Sequence, residues 1–339
     1  MSKIGSVTVM STNNDSDMRF ELLSTIRYDP FASIWESNSG DDNGSSERPN
    51  TSYVYSGSED VEDLKKLLVK GKLNSNNDSI ETKMVDVFRR RFLFLRDHYE
   101  RTTRAISKIG WNIPLDEHDL LEKLILALPT DLETDDIEKK MEMLLDGSTC
   151  YKMRLLVSND GAVKIEAHEL SKIEKPPTDL VAYFVETMLD GLLDEPKNLW
   201  DVFVNSRPIF PSFFTSFKTT YRNHYTEARN LMPVLSQEYY KSETKPSKME
   251  ILLYNENNQL MEGSITNAAI KKETADGKFI FVTPSLESGC LDGIMRKFLL
   301  NGGLIEEGCI DINDIKDGDT IIIFNAIMGC VRGTIRILQ

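Results

Sequence analysis

Three segments of the sequence carry residues that could do chemistry together. The first is FFTSFKTTYRNHY, residues 213–225, in which five aromatic residues flank Lys218. The second is LMEGSITNAAI, residues 260–270, which places Glu262 between a hydrophobic run and a turn of small residues. The third is TPSLESGCLDGIMRKF, residues 283–298, in which Gly293 precedes a predicted helix that opens with Ile294 and Met295.

Each segment allows a chemical and a purely structural interpretation. An apolar setting lowers the pKa of a lysine, and the neutral amine is a nucleophile that can form a Schiff base. Lys218 could instead bury its stem and keep its charge in water, or make a cation–π contact. Glu262 could pair with a protonated heterocyclic nitrogen or simply accept backbone N–H groups. The helix start is either an anion site, through its free N–H groups and its dipole, or binds nothing.

The combination is more specific than any of its parts. A lysine can hold an aldehyde cofactor, a carboxylate can keep a pyridine nitrogen protonated, and a helix N-terminus can accept a phosphate. Pyridoxal phosphate requires this set of groups. The three segments together therefore indicate a pyridoxal-phosphate site.

The chain resembles the fold-type IV pyridoxal-phosphate enzymes, which include branched-chain and D-amino-acid aminotransferases and 4-amino-4-deoxychorismate lyases. The resemblance rests on HYER at 98–101, EGSITN at 262–267, and Thr283-Pro284 followed by LDGIMR at 291–296. Within the group, GIMR, FNAIMG and the segment MRLLVSNDG are most similar to the lyases. Asn223 stands where branched-chain aminotransferases carry a tyrosine, which weakens the resemblance to them.

The resemblance implies a function and a set of site residues. The substrate would be 4-amino-4-deoxychorismate, the products p-aminobenzoate and pyruvate, and the cofactor pyridoxal 5'-phosphate, with no metal. Lys218 would attach the cofactor and act as base, and Thr25 would protonate the leaving group. The implied cofactor-binding residues are Arg101, Lys218, Glu262, Ile294, Met295 and Asn325, and the implied substrate-binding residues are Arg27, Arg222 and Arg332.

Two alternative functions remain open from the sequence. One is an amino-acid aminotransferase on the same fold. The other is a relative without cofactor that works as a binding or scaffold protein. The polar insertion at 36–60 and the reduced N-terminal element FELLSTIRYDP favour this second alternative. The joint presence of the lysine, the glutamate, the phosphate arginine and the helix start argues against it.

The predicted fold is α+β with two domains, of fold type IV. A small N-terminal α+β domain spans 1–172, a linker with Pro176-Pro177 spans 173–179, and a larger, strand-rich pseudo-barrel domain with Lys218 spans 180–339. Residues 153–170 form a hairpin around Asn159-Asp160-Gly161, because alternating strands flank a strong turn signal. Residues 92–95 are predicted to be a buried strand, followed by a helix at 97–108 capped by Asp97. The insertion at 36–60 is predicted to be a mobile loop.

The composition narrows the range of partners and compartments. The chain of 339 residues has a net charge of −14, which disfavours general binding of nucleic acid. No apolar run approaches the roughly 20 residues of a membrane span, and no signal-peptide core is present, so we expect a cytoplasmic protein. The four cysteines form no CxxC pair and are expected to be reduced and mostly buried. The resemblance further implies a homodimer.

Overall fold

The computed structural model describes residues 19–32, 34–36, 53–55, 77–241 and 248–338. The loop predicted at 36–60 falls mostly outside these ranges. Within it, Glu36 and residues 53–55 are described, and they take part in a short antiparallel pair between Ile34–Glu36 and Tyr53–Tyr55.

The helices and strands follow one another in two groups, separated by residues 173–179, which form neither helix nor strand. The first group is β1 (Leu22–Tyr28), β2 (Ile34–Glu36), β3 (Tyr53–Tyr55), α1 (Asn77–Arg91), α2 (Leu95–Ile109), α3 (Glu117–Leu126), α4 (Ile137–Leu144), β4 (Thr149–Val157) and β5 (Val163–Lys172). The second group is α5 (Leu180–Met188), β6 (Leu199–Val204), α6 (Phe213–Ser216), α7 (Asn223–Tyr240), β7 (Met249–Tyr254), β8 (Leu260–Gly263), β9 (Asn267–Glu273), β10 (Phe279–Pro284), α8 (Ile294–Asn301), β11 (Glu306–Gly308), β12 (Thr320–Asn325) and β13 (Gly329–Arg336). The division into two domains at this linker stays a prediction.

A three-stranded antiparallel sheet, in the order β1-β4-β5, forms the framework of the first group. Strand β1 alternates, so that Leu22, Ile26 and Tyr28 pack into a core shared with helices α1 to α4. The predicted hairpin is confirmed as β4 and β5, and Gly161 in their turn adopts a φ of 86°. That left-handed conformation suits glycine because it lacks a Cβ.

An eight-stranded mixed sheet, in the order β11-β10-β9-β12-β13-β6-β7-β8, forms the framework of the second group. The sheet curls, so that β8 at one edge comes beside β9 and β10. Its apolar residues fill the inside of the curl, and α7 packs on the outside of β6 and β7. The predicted α+β fold with a strand-rich C-terminal part is confirmed.

The two sheets meet at the loop between α6 and α7, which carries Lys218. The carbonyl oxygen of Lys218 accepts a hydrogen bond of 2.9 Å from the N–H of Leu23, at the start of β1. The N–H of Thr220 donates to the carbonyl oxygen of Glu21, also at 2.9 Å. These main-chain bonds fix the lysine loop against the first sheet, so the lysine side chain lies between the two sheets.

The prediction of a strand at 92–95 is wrong. Helix α1 runs to Arg91, and α2 begins at Leu95, with Phe94 between them in the left-handed conformation at a φ of 58°. The apolar run is therefore a buried corner between two helices, and its burial rather than a strand conformation explains its hydrophobicity. Asp97 lies inside the first turn of α2 and forms an ion pair with Lys297, so it does not cap the helix.

The four cysteines are free, and Cys150, Cys290 and Cys330 are buried, which agrees with their predicted role as small apolar residues. Among the helices that the structure describes, none combines the length and the hydrophobicity that crossing a bilayer requires.

Candidate active site

A cavity of about 450 Å³ lies between the two sheets and contains most of the predicted site residues. Strand β1, helix α2, the Lys218 loop, the β8–β9 turn, the start of α8 and the end of β12 all contribute to its wall. The predicted residues that line it are Thr25, Arg101, Lys218, Arg222, Glu262, Ile294, Met295 and Asn325. Residues that are far apart in the sequence thus face one space.

Lys218 is half-buried in the cavity wall, and its Nζ lies 3.0 Å from Oγ1 of Thr25. Burial, helped by the nearby guanidinium groups of Arg101 and Arg222, lowers the pKa of Lys218 to about 7. A neutral amine is therefore populated near neutral pH, which is the condition for nucleophilic attack.

Most of the aromatic residues around Lys218 pack on one another rather than against the cavity. Phe213 stacks on Phe217 with ring centroids 4.7 Å apart, and Phe214 packs against Tyr221 at 4.5 Å. Of the five aromatic residues in the segment, Tyr225 is the one that lines the cavity. The other four support the loop by packing on one another, so burial by the whole site lowers the lysine pKa.

Glu262 is almost completely buried and is held by neutral donors. Its Oε1 accepts a hydrogen bond of 2.5 Å from the hydroxyl of Tyr225. Its Oε2 accepts bonds from the N–H of Leu291 at 3.2 Å and from Nδ2 of Asn267 at 3.5 Å. Burial raises the pKa of Glu262 to about 7, because these bonds and the cations nearby only partly offset desolvation.

Arg101 and the start of helix α8 form a second, cationic part of the cavity. Nη2 of Arg101 donates to Oγ of Ser24 at 3.0 Å, and the same hydroxyl lies 2.8 Å from Nδ1 of His98. Burial lowers the pKa of Arg101 to about 10, so it remains a cation at neutral pH. Burial lowers the pKa of His98 as well, which keeps this imidazole neutral.

The first residues of α8, Ile294 and Met295, line the cavity, as the prediction of an anion site at this helix start requires. Gly293 is needed just before them, because a Cβ there would lie 1.8 Å from Oδ1 of Asn267. Nδ2 of Asn267 donates to the carbonyl oxygen of Leu291 at 2.9 Å and thereby ties the helix start to β9. The glycine thus permits the close packing that brings the helix start next to Glu262.

Asn325 uses its side chain mainly to shape the turn after β12. Its Oδ1 accepts hydrogen bonds from the N–H groups of Ile327 and Met328, both at 2.9 Å, and its Nδ2 donates to the carbonyl oxygen of Ile265 at 3.1 Å. A phosphate contact by Asn325 stays a prediction, but its supporting role in the cavity wall is clear from these bonds.

The three arginines predicted to face the substrate have different surroundings. Arg222 lines the cavity, donates to the carbonyl oxygen of Ser264 at 2.6 Å, and lies over the ring of Tyr225. Arg27 is buried, forms an ion pair of 2.8 Å with Asp29 and donates to the carbonyl oxygen of Ile327 at 2.9 Å, so its contact with substrate stays a prediction. The same holds for Arg332, whose guanidinium donates to the backbone carbonyls of Gly191, Leu193 and Asp194. Both guanidinium groups bind protein oxygens, and neither Arg27 nor Arg332 is among the residues that line the cavity.

Three of the lining residues without a site role assigned from the sequence either hold Glu262 or add a charge to the cavity. Tyr225 and Asn267 hold the Glu262 carboxylate, and both occur in the segments that drew attention for other reasons. Lys152, on β4, lines the cavity as well. Nothing in its local sequence distinguishes it from the other charged residues of the hairpin.

The sequence pattern of the family described as Amino-transferase class IV matches residues 80–334 of this chain. The chain belongs to the amino-transferase class IV family. The match includes HYER, EGSITN and LDGIMR, so the resemblance predicted from these motifs is confirmed.

Two curated relatives from yeasts carry the name of one member of the class IV family. The chain is 40% identical over 261 residues to the aminodeoxychorismate lyase of Saccharomyces cerevisiae, covering 75% of this chain and 70% of that protein. It is 25% identical over 245 residues to a protein of Schizosaccharomyces pombe that provisionally bears the same name, covering 71% and 83% of the two chains.

A solved structure supports the class IV fold. The crystal structure of a protein from Mesorhizobium loti, provisionally named an amino-acid aminotransferase, superposes with a TM-score of 0.50 at 18% identity. The superposition covers 93% of this chain and 99% of that chain. At this identity the similarity speaks for the fold alone.

Proposed function

We propose that this class IV protein is a pyridoxal-phosphate-dependent lyase that converts 4-amino-4-deoxychorismate to p-aminobenzoate and pyruvate. The observation that carries the proposal is that Lys218, Glu262, Arg101 and the start of α8 line one cavity. The 40% identity to the lyase of Saccharomyces cerevisiae supports this choice of substrate.

The groups in the cavity fit pyridoxal phosphate chemically. Lys218 offers an amine with a pKa of about 7 for covalent attachment. The start of α8 and Arg101 offer backbone N–H groups and a cation for the phosphate. Glu262 offers a buried carboxylate for a protonated ring nitrogen, and class IV enzymes are in general dependent on this cofactor. A cavity of about 450 Å³ has room for a ligand of this class.

Each residue then has a defined task in the reaction. When bound, pyridoxal phosphate supplies an electron sink for the carbon next to the substrate nitrogen. Nζ of Lys218 would accept the proton from that ring carbon, because its lowered pKa makes it a base at neutral pH. The Glu262 carboxylate would keep a proton on the ring nitrogen of the cofactor, and hydrogen bonds from Tyr225 and Asn267 hold that carboxylate in place.

The remaining bond changes lie in the substrate. The ring carbon loses a proton, the C–O bond to the enolpyruvyl group breaks, and the ring becomes aromatic. Thr25 is the group we assign to deliver a proton to the departing enolpyruvyl carbon, since its Oγ1 lies 3.0 Å from Nζ of Lys218. Aromatisation favours the products, so the site mainly has to place the reactants and exclude water.

A homodimer and a cytoplasmic location complete the proposal. Both are carried over from the predictions made from the sequence. Size-exclusion chromatography with light scattering tests the first, and microscopy of a tagged protein tests the second.

The activity is tested by incubating the purified protein, supplied with pyridoxal phosphate, with 4-amino-4-deoxychorismate. We expect p-aminobenzoate and pyruvate in equal amounts, measured by chromatography and by a coupled pyruvate assay. A parallel reaction contains branched-chain or D-amino acids with 2-oxoglutarate. Amine exchange there, without release of p-aminobenzoate from the first reaction, would contradict the lyase and establish an aminotransferase.

A further inference from the structure

The cavity has more cationic groups than the cofactor requires. Its lining contains Lys152, Lys218, Arg101 and Arg222, against one carboxylate, that of Glu262. This excess is unusual in a chain with a net charge of −14, and it indicates an anionic ligand with more than one negative group. The proposed cofactor accounts for Arg101 and Lys218, which leaves Arg222 and Lys152 to be explained.

Strand pairing places Lys152 on the cavity face of the first sheet. Lys152 lies opposite Arg27 in the register of β1 and β4, and Thr25 lies opposite Arg154. Residues directly opposite, and residues two positions apart, share one face of a sheet. Lys152 is thus a diagonal neighbour of Thr25, about 7–8 Å away by sheet geometry, and Thr25 in turn contacts the reactive amine.

The ammonium of Lys152 has no ion-pair or hydrogen-bond partner among the residues that the structure describes. The acidic residue nearest to Lys152 in the sheet register is Glu166, and it is paired with other cations. Glu166 forms ion pairs with Arg154 at 2.9 Å and with Lys164 at 2.7 Å, and His168 lies 3.6 Å from it. Arg27 on the facing strand has its own partner in Asp29. Lys152 is therefore half-buried beside the reactive centre, and no side chain in the described part of the chain pairs with it.

Arg222 lies on the other wall of the cavity. Its position is set by the carbonyl oxygen of Ser264 in the β8–β9 turn and by the ring of Tyr225, and both of these belong to the second sheet and its helix α7. Lys152 thus faces the cavity from the first sheet, and Arg222 faces it from the second. A molecule whose amine reaches Lys218 and whose two carboxylates point apart would meet one cation with each.

We propose that Lys152 binds one carboxylate of the substrate and so selects for dicarboxylates. This inference rests on the proposed function, whose substrate carries two carboxylates and one amine. Lys152 lines the cavity, whereas Arg27 and Arg332 do not. Its role is binding and selection, so the loss of its charge weakens the substrate complex more than it slows the chemistry.

Binding of chorismate tests the proposal without turnover. Chorismate has both carboxylates but a hydroxyl in place of the amine, so it cannot react with the cofactor. The measurement is calorimetric titration of the cofactor-loaded protein with chorismate, for the unchanged protein and for Lys152→Met, Lys152→Gln and Lys152→Arg. Lys164→Met is the matched control, since Lys164 is an exposed lysine of the same sheet outside the cavity.

We expect Lys152→Met and Lys152→Gln to raise the chorismate Kd by about tenfold to a hundredfold, as expected for a lost charge-assisted bond. The KM for 4-amino-4-deoxychorismate should rise similarly, while kcat changes by less than about threefold. Lys152→Arg should keep most of the affinity, and Lys164→Met should leave it unchanged. Thermal unfolding and the cofactor absorbance confirm that each variant is folded and loaded.

Two failures can be told apart in this experiment. If folded, loaded Lys152 variants bind chorismate and substrate as tightly as the unchanged protein does, Lys152 does not bind a carboxylate. If the unchanged protein does not convert 4-amino-4-deoxychorismate at all, the proposed function is wrong, whatever the variants show.

Discussion

The side chain of Thr25 lies 3.0 Å from that of Lys218, measured from Oγ1 to Nζ. Thr25 belongs to β1 of the three-stranded sheet, and Lys218 to the loop between α6 and α7. Main-chain bonds from Leu23 and Thr220 hold this loop against the start of β1. The contact therefore joins the two parts of the fold at the point where the chemistry is proposed to occur.

Replacing Thr25 by valine removes the hydroxyl with little change in shape. We expect the variant to attach the cofactor normally and to turn over substrate about tenfold to a hundredfold more slowly, because a proton donor is lost. The kinetic constants are measured alongside Thr25→Ser, which keeps a hydroxyl and should recover most of the rate. A Thr25→Val protein with an unchanged kcat would remove Thr25 from the reaction.

The Tyr225 hydroxyl favours the charged form of Glu262, because it donates to the carboxylate. In Tyr225→Phe the pKa of Glu262 should therefore rise above its present value of about 7. The fraction of ionised carboxylate then falls at neutral pH, and the acid limb of the rate–pH profile moves to higher pH. Glu262→Gln, which cannot ionise, should slow turnover more strongly, by about a hundredfold or more. A profile that is the same in Tyr225→Phe and in the unchanged protein would contradict this role.

The pH dependence of cofactor attachment reports on Lys218 directly. An ordinary lysine becomes neutral near pH 10.4, whereas burial lowers the pKa of Lys218 to about 7. Only the neutral amine attacks, so the rate of attachment to the cofactor-free protein should rise as the pH passes through about 7 and level off above it. Stopped-flow absorbance from pH 5.5 to 9.5 measures this rate. A rise that continues towards pH 10 would show that the lysine is not perturbed.

The close packing at Gly293 predicts a strong effect of one added methyl group. In Gly293→Ala the new Cβ would lie 1.8 Å from Oδ1 of Asn267, so either the helix start or Asn267 must move. We expect a loss of about 1–3 kcal/mol in the free energy of unfolding and weaker cofactor binding. Gly302→Ala at the other end of α8 is the control. Its Cβ would approach no atom closer than 3.4 Å, and its backbone is helical, so its stability should change by less than about 0.5 kcal/mol. Equal unfolding curves for the two variants would contradict the argument.

The sequence identified those parts of the site that depend on short, contiguous motifs. Three parts of the site could be predicted because each lies in a short, recognisable sequence segment: Lys218, Glu262 and the helix start after Gly293. The structure brings all three to one cavity. Their proposed roles in cofactor attachment, ring-nitrogen protonation and phosphate binding stay predictions. The strand-rich C-terminal part and the β4–β5 hairpin were equally predictable, because alternation and turn residues are local signals.

The partners of charged residues could not be predicted in this way. Arg27 was expected to face substrate, but its guanidinium forms an ion pair with Asp29, two residues further along the chain. Arg332 binds three carbonyl oxygens of a turn that begins well over a hundred positions earlier, which no local pattern reveals. Lys152 was missed for the same reason, since the face to which a strand residue points depends on the register with its neighbours.

The apolar run at 92–95 shows a different limit. Four consecutive apolar residues suit a buried strand as well as a buried corner between helices. In the structure, the left-handed conformation of Phe94 turns the chain from one helix into the next, so no strand forms. A phenylalanine gives no sequence signal for that conformation.

The central claim is that Lys218 attaches pyridoxal phosphate. The most direct measurement is the absorption spectrum of the protein incubated with the cofactor, before and after borohydride, followed by peptide mapping. The account predicts a visible band that borohydride removes, a stable cofactor adduct on Lys218, and neither band nor adduct in folded Lys218→Ala. A folded, unchanged protein without the band, or an adduct on another lysine, would contradict it.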